Sequence, residues 1–298
     1  MLIRRICAGL AVAAFWLLVM CCLPGVFIFM ILLAMSVCCQ REFYGMIKRK
    51  GIEVEDHLGV AAGLIWLTLT YVYPPALLKT MAWGGDLGPL ALAFFVFVLL
   101  ARVMFNPHVR TPVQRVGVTL LGFFYLPFML SYFIRVAQWG ALKSCEIPAC
   151  RTGIFLAAFV AVVVKLGDVG AFGVGTSCGK HKMCPTISPK KSWEGLAGGL
   201  VASVLAALAM AALARGCDYI QGGPLESINM LTIAALGLLL GIVGVMGDLF
   251  ESMFKRSVEI KDSAGLLPGM GGILDMFDSL IFTPALMYAF IIWSAGAT

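Results

Sequence analysis

Residues 255–278 read "KRSVEIKDSAGLLPGMGGILDMFD" and lie between two apolar runs, 230–247 and 279–295. Lys255, Arg256, Glu259, Lys261, Asp262, Asp275 and Asp278 crowd into this stretch, in a chain of 298 residues that is 61% hydrophobic and only 13% charged. A soluble domain carries about twice that charged fraction. Working outward, the flanking runs recur along the chain in lengths of roughly 17 to 22 residues, enough to cross a hydrocarbon core of ~30 Å. A membrane β-barrel would instead show alternating segments of about 10 residues. The sequence therefore predicts an all-α, polytopic membrane protein, and the charged stretch is a connection between two of its spans.

Nine transmembrane helices are the most economical reading: 7–22, 25–39, 58–73, 88–105, 116–134, 153–172, 195–214, 230–247 and 279–295. The first two are short and meet at Pro24-Gly25, so one broken span, giving eight, is the alternative. The opening "MLIRRICAGLAVAAFWLLVMCC" starts like a signal peptide but lacks a small-x-small site followed by a polar chain, and is expected to be retained. With nine spans and a cytoplasmic N-terminus, 16 of the 22 Lys and Arg residues fall on the cytoplasmic side. This matches the positive-inside rule. The net charge of +6 then reflects topology, and no nucleic-acid partner is expected. The polar segment 41–56 is expected to lie along the cytoplasmic interface. Two regions are expected, the N-terminal helices over 1–150 and a catalytic region over 151–298.

The ten cysteines suggest no metal centre. Several sit in apolar spans as small hydrophobes, and Cys178, His181 and Cys184 fit no common zinc spacing. Cys145 and Cys150 share one short loop, where a disulfide would require an oxidising compartment.

Two connections carry more polar chemistry than a loop needs. After the sixth span comes "GDVGAFGVGTSCGKHKMCPTISPKKSWEG", with Asp168, Gly170, Gly173 and Gly175 followed by Ser188, Lys190, Lys191, Ser192 and Glu194. Glycines admit close backbone approach to a phosphate, and lysines neutralise it. The same residues also suit a positive-inside loop and a Ser-x-Glu helix start. In the last connection, Asp248, Glu251 and Ser252 precede the opening stretch, and Asp275 and Asp278 stand three apart, on one face of a helix. Carboxylates beside apolar segments are costly and point to function. Asp248, Asp275 and Asp278 suit a hard divalent ion such as Mg²⁺. Lys255, Arg256 and Lys261 would neutralise phosphates in a phosphoryl-type transfer.

The combination Ser252-x-x-Lys255-Arg256, Lys261-Asp262, Pro268-Gly-x-Gly271-Gly272 and Asp275-x-x-Asp278 resembles the C-terminal motif of the phosphatidate cytidylyltransferases, the CDP-diacylglycerol synthases. "SPKKSWEG", the Asp168 segment and "GDLFES" occur in that family's order. The resemblance covers residues 150–298 closely and the first half only as a series of spans. It implies transfer of CMP from CTP to phosphatidic acid, with release of pyrophosphate, in phospholipid biosynthesis. Lys255, Arg256, Lys261 and Asp262 would be catalytic. Ser188, Lys190, Lys191, Glu194, Ser252, Gly271 and Gly272 would bind substrate. Asp248, Asp275 and Asp278 would hold metal, either two divalent Mg²⁺ sites or one divalent plus a monovalent ion, with Asp168 a weaker member of the same polar cavity.

The implied partners are CTP, phosphatidic acid and the lipid bilayer, with a homodimer left open. By analogy the chain is a multi-pass protein of a bacterial inner membrane whose active site faces the cytoplasm. Two residues depart from the family pattern, Met270 where His is usual and Met276 where Arg is usual. Lys165, three residues before Asp168 and inside a span, is expected to pair with it. The rival readings are another CTP-dependent lipid phosphotransferase or kinase, a membrane transporter, and an inactive homologue.

Overall fold

The computed structural model describes residues 25–73, 87–107, 110–139, 147–216, 224–259 and 272–297. Among these, seven helices are long and apolar enough to cross a membrane: Gly25–Arg49, Leu87–Met104, Pro112–Ala137, Thr152–Cys178, Trp193–Gly216, Met230–Ser257 and Ile273–Ala295. A shorter apolar helix covers Asp56–Val72. The chain is an all-α polytopic integral membrane protein. Eight of the nine expected spans coincide with these helices, and the remaining one, 7–22, lies outside the described residues.

The helices are α1 (Gly25–Arg49), α2 (Asp56–Val72), α3 (Leu87–Met104), α4 (Pro112–Phe123), α5 (Met129–Ala137), α6 (Ile147–Cys178), α7 (Trp193–Gly216), α8 (Pro224–Ser227), α9 (Met230–Ser257), α10 (Ile273–Phe277) and α11 (Thr283–Ala297). A π-helical turn, Phe124–Phe128, joins α4 to α5 around Pro127, which has no N–H to continue an α-helical ladder. Strands β1 (Lys182–Cys184) and β2 (Ser188–Ser192) form an antiparallel hairpin between α6 and α7.

Residues 41–49 form the last turns of α1, with Phe43, Tyr44 and Met46 buried there. Two connections differ from expectation. The glycine-rich run after residue 167 is helix through Cys178, so its N–H groups are committed within α6 rather than offered to a phosphate. Residues 248–257 likewise extend α9 instead of opening a loop.

Two compact units make up the chain: Met1–Ile28, Val136–Met253 and Asp278–Thr298 form one, and Phe29–Arg135 with Phe254–Phe277 form the other. In this first unit α6, α7 and α9 pack through small residues. Ser203 of α7 is fully buried, and a Cβ added at Gly167 of α6 or at Gly241 of α9 would collide with its hydroxyl. Gly170 faces Ala202 and Gly198, and Gly237 faces Ala207. In a bilayer, where lipid is as apolar as leucine, such backbone approach is what makes helix association favourable.

The second unit centres on Trp66, Phe95, Leu99, Val103 and Phe123. Tyr44 lies where Gly59 and Gly122 leave room for its ring, and its hydroxyl donates to the Thr119 carbonyl at 2.9 Å. Arg115 pairs with Glu53 and Glu55, and Arg102 Nε also reaches Glu55 at 2.9 Å. These pairs fix the turn between α1 and α2.

Candidate active site

The first unit gathers carboxylates at one place. Asp248 and Glu251 stand three apart on α9 and therefore share a face. Asp278 opens the 3₁₀ turn Asp278–Leu280 that leads into α11. Ligand oxygens of Asp248, Glu251 and Asp278 all lie within 4.8 Å of one another. Glu251 is 1% and Asp278 8% exposed, so most of this charge is away from water. Gly247 makes the approach possible, since any Cβ there would run into the Asp278 carbonyl. The Ser279 N–H donates to Asp278 Oδ1 at 2.5 Å and fixes the carboxylate.

Cations answer this charge from two elements of the same unit. On β2 Lys190 is exposed and Lys191 is turned inward, where Nζ donates to Asp248 Oδ2 at 3.0 Å and to the Val245 carbonyl at 3.2 Å. From α6, Lys165 Nζ donates to Asp168 Oδ2 at 3.1 Å and to Ser279 Oγ at 2.8 Å, so the pair expected from sequence is present. Ser252 Oγ reaches Asp248 Oδ1 at 3.4 Å.

The hairpin that carries Lys191 is itself fastened. Ser192 Oγ accepts the Gly195 N–H at 3.1 Å, capping α7. Glu194 accepts the Lys180 and His181 N–H groups and contacts His181 Nδ1 at 2.6 Å. Glu194 thus holds the turn rather than presenting a carboxylate to the acidic group. Ser188, half-buried, begins β2.

The second unit places the other sequence-predicted residues in a different setting. Lys255 Nζ donates to Asp275 Oδ1 at 3.0 Å, with each side chain only 13% exposed. Asp275 also accepts the Gly272 N–H at 2.9 Å, capping the short helix α10. Glu42 of α1 accepts the next two N–H groups, those of Ile273 and Leu274, each at 2.9 Å. Arg256 is exposed and Met276 half-buried. Lys261, Asp262, Met270 and Gly271 lie outside the described residues.

Glu251 was not among the residues singled out from sequence for metal. Its signal was the three-residue spacing from Asp248 on a helix, which the reading of 248–257 as a loop concealed. The donor set of Asp248, Glu251 and Asp278 is all oxygen and formally trianionic, which suits a hard divalent cation and not a thiol-preferring one. Two of the three are buried, and concentrating such charge without a cation is expensive. The residues present therefore fit a divalent metal ion.

Comparison with known proteins agrees with this chemistry. The model of the "Cytidylyltransferase family" matches residues 3–293. A phosphatidate cytidylyltransferase of Synechocystis sp. is 32% identical over 268 residues, covering 85% of this chain and 84% of the relative. The phosphatidate cytidylyltransferase of Bacillus subtilis is 31% identical over 226 residues, covering 76% and 77%. An uncharacterized protein, YnbB, of Escherichia coli is 31% identical over 260 residues, covering 78% and 81%.

Proposed function

This chain belongs to the cytidylyltransferase family, and we propose that it is a phosphatidate cytidylyltransferase, making CDP-diacylglycerol and pyrophosphate from CTP and phosphatidic acid. A phosphate oxygen of the lipid attacks the α-phosphorus of CTP. The new P–O bond forms as the bond to the bridging oxygen of the β-phosphate breaks, and pyrophosphate leaves. Neither partner needs a protein nucleophile, so the protein contributes position and charge.

The observation that carries this reading is the buried group of Asp248, Glu251 and Asp278, flanked by Lys191 and Lys165, in a chain matched to the family over nearly its whole length. Asp248, Glu251 and Asp278 would hold the metal, for which Mg²⁺ is the natural choice beside phosphates. A bound divalent ion supplies Lewis-acid neutralisation of the phosphate oxygens. Lys191 exchanges its contact with Asp248 for a phosphate oxygen as nucleotide enters. Lys190, exposed on the outer face of β2, attracts the triphosphate, and Ser188 and Ser252 offer hydroxyl donors. Lys255, Arg256 and Lys261 are assigned to phosphate neutralisation, Asp262 to a catalytic role and Gly271 to backbone contact, on the motif alone, while the Gly272 N–H is held by Asp275. Asp275 is assigned here to holding Lys255 and the start of α10 rather than metal.

The excess of Lys and Arg on the connections of one side supports a cytoplasmic active site, where CTP is available. The bacterial relatives support an inner-membrane location.

The test uses the purified protein in detergent with phosphatidic acid, Mg²⁺ and CTP labelled in the α-phosphate and, separately, in the γ-phosphate. α-Label in the lipid, with one pyrophosphate released per lipid product, is expected. γ-Label in the lipid with release of CDP would identify a kinase instead, and label in neither would overturn the transfer reading.

A further inference from the structure

The connection between α6 and α7 carries charge of one sign. From Val169, in the last turns of α6, to Trp193 the chain holds Lys180, His181, Lys182, Lys190 and Lys191 and no acidic residue. Lys191 is turned inward to Asp248, whereas Lys180, Lys182 and Lys190 are exposed. Among the described residues neither Lys180 nor Lys182 forms an ion pair. The next acid along the chain, Glu194, is occupied by the Lys180 and His181 N–H groups and the His181 ring.

The fold sets this charge at the edge of a lipid-facing surface. Trp193, Ala197, Val201 and Leu205 recur every four residues along α7 and all are exposed, while Gly195, Gly199 and Ser203 are buried on its other side. Because α7 is long and apolar enough to span, this exposed stripe faces lipid. Trp193, 56% exposed, is the first residue of the stripe. Tryptophan in that position sits where hydrocarbon gives way to headgroups. The hairpin is pinned at the same level. The Trp193 N–H donates to the His181 carbonyl at 3.0 Å, and Lys182 is the cross-strand partner of Ser192. Lys180 and Lys182 thus flank the residue whose carbonyl holds the tryptophan. A bias of positive charge decides on which side of the membrane a connection lies. It does not call for two unpaired lysines fastened beside an exposed tryptophan.

We propose that this hairpin is a docking surface for anionic phospholipid headgroups of the membrane that holds α7. Trp193 sits at the hydrocarbon boundary, and Lys180 and Lys182 lie against the lipid phosphates. Charge complementarity selects the partner, because lysines close to an anionic leaflet are attracted to it over about a Debye length. A zwitterionic surface offers no such net charge. Lys190 stays with the nucleotide, as assigned above. The inference is independent of the proposed reaction, since lipid contact is measured without turnover.

The test places the full chain in nanodiscs of phosphatidylcholine alone or of equal parts phosphatidylcholine and phosphatidylglycerol. Acetylation by a neutral reagent, followed residue by residue with mass spectrometry, is expected to slow at least about 3-fold at Lys180 and Lys182 in the anionic discs and to recover in high salt. Lys48, exposed and paired with Asp56, is the reference and is expected to change little. Lipids brominated near the headgroup end of their chains are expected to quench the emission that Trp193→Phe removes. Lys180→Gln/Lys182→Gln is expected to lose at least about half of the quenching that anionic lipid adds. Equal acetylation rates in the two discs would overturn the proposal, as would quenching that the double variant leaves unchanged. Protection that appears only when CTP is added would overturn it in favour of a nucleotide surface. A Trp193 contribution that brominated lipid does not quench would overturn it in favour of a stripe covered by another copy of the chain.

Discussion

Asp275 and Asp278 are three residues apart, and they end in different chemistry. Asp278 joins Asp248 and Glu251, and an excess of negative charge is concentrated there. Asp275 meets Lys255 and the N–H of Gly272, so its charge is already answered by the protein. The reason is local backbone geometry. Asp275 stands in the first turn of α10, where Lys255 and the Gly272 N–H engage it, whereas Asp278 opens the 3₁₀ turn that follows. A D-x-x-D pair can therefore combine one carboxylate that lacks a protein cation of its own with one that fastens the fold.

The sharpest way to break this comparison is to neutralise each aspartate in turn. Asp278→Asn should lower CMP transfer by about 10³-fold or more, the scale on which one positioned charge contributes to phosphoryl transfer. Its unfolding midpoint in detergent should stay near wild type. Asp275→Asn should show the reverse emphasis, a lower midpoint with the smaller loss of turnover. Equal losses of rate in two equally stable variants would erase the distinction.

Next in size is the pair that Asp275 makes. Removing one partner of a buried ion pair costs about 3–5 kcal/mol, whereas replacing both with apolar residues is often near neutral. Lys255→Met and Asp275→Leu should each destabilise strongly, and the double variant should recover much of the loss. Urea unfolding in mixed micelles reads the coupling, and additive losses would show that the pair does not act as a unit.

The two hairpin lysines sharpen the comparison between charge held inside and charge held out. Lys191→Ala should reduce kcat/KM for CTP by about 10²-fold, the scale of one charge-assisted contact to a phosphate. Lys190→Ala should raise KM a few-fold, with the difference shrinking as ionic strength rises. A larger effect at Lys190 than at Lys191 would mean that the inward placement of Lys191 does not decide which lysine meets the nucleotide. The smallest effect is expected at the cap of α10. Glu42→Gln keeps an acceptor but loses the charge, and should cost about 1 kcal/mol in unfolding stability.

Much of the fold was legible as hydropathy, because span length and composition are set by the bilayer and not by tertiary detail. Eight helices match expected spans within a turn or two at most ends. What hydropathy hid was the continuation of helices into polar sequence. Arg41–Arg49 and Asp248–Ser257 look like connections by composition, yet both are helical, and in the first the buried Phe43 and Tyr44 favour that continuation. Gly170 and Gly175 read as loop residues when taken alone. Paired with Gly195, Gly198 and Ala202 across the hairpin they are a packing surface, and that partner is not visible in a local window.

The site was legible in its charge and less so in its pairing. Asp248, Asp278 and Lys191 come together within one unit, and the Lys165–Asp168 contact followed from their spacing. Glu251 became visible only once α9 was known to extend past Asp248. That Lys255 takes Asp275 follows from contacts between residues 20 apart in sequence, for which no short motif carries a signal.

The cap supplied by Glu42 has a consequence for how the protein is made. Its two acceptor bonds go to Ile273 and Leu274, more than 230 residues later in the chain. At ribosomal speeds of about 5–20 residues per second, Glu42 waits roughly 10 to 50 s for those donors. A chain released before residue 273 never receives them. The cap of α10 is therefore among the last contacts that synthesis makes possible, although its acceptor is among the first residues made.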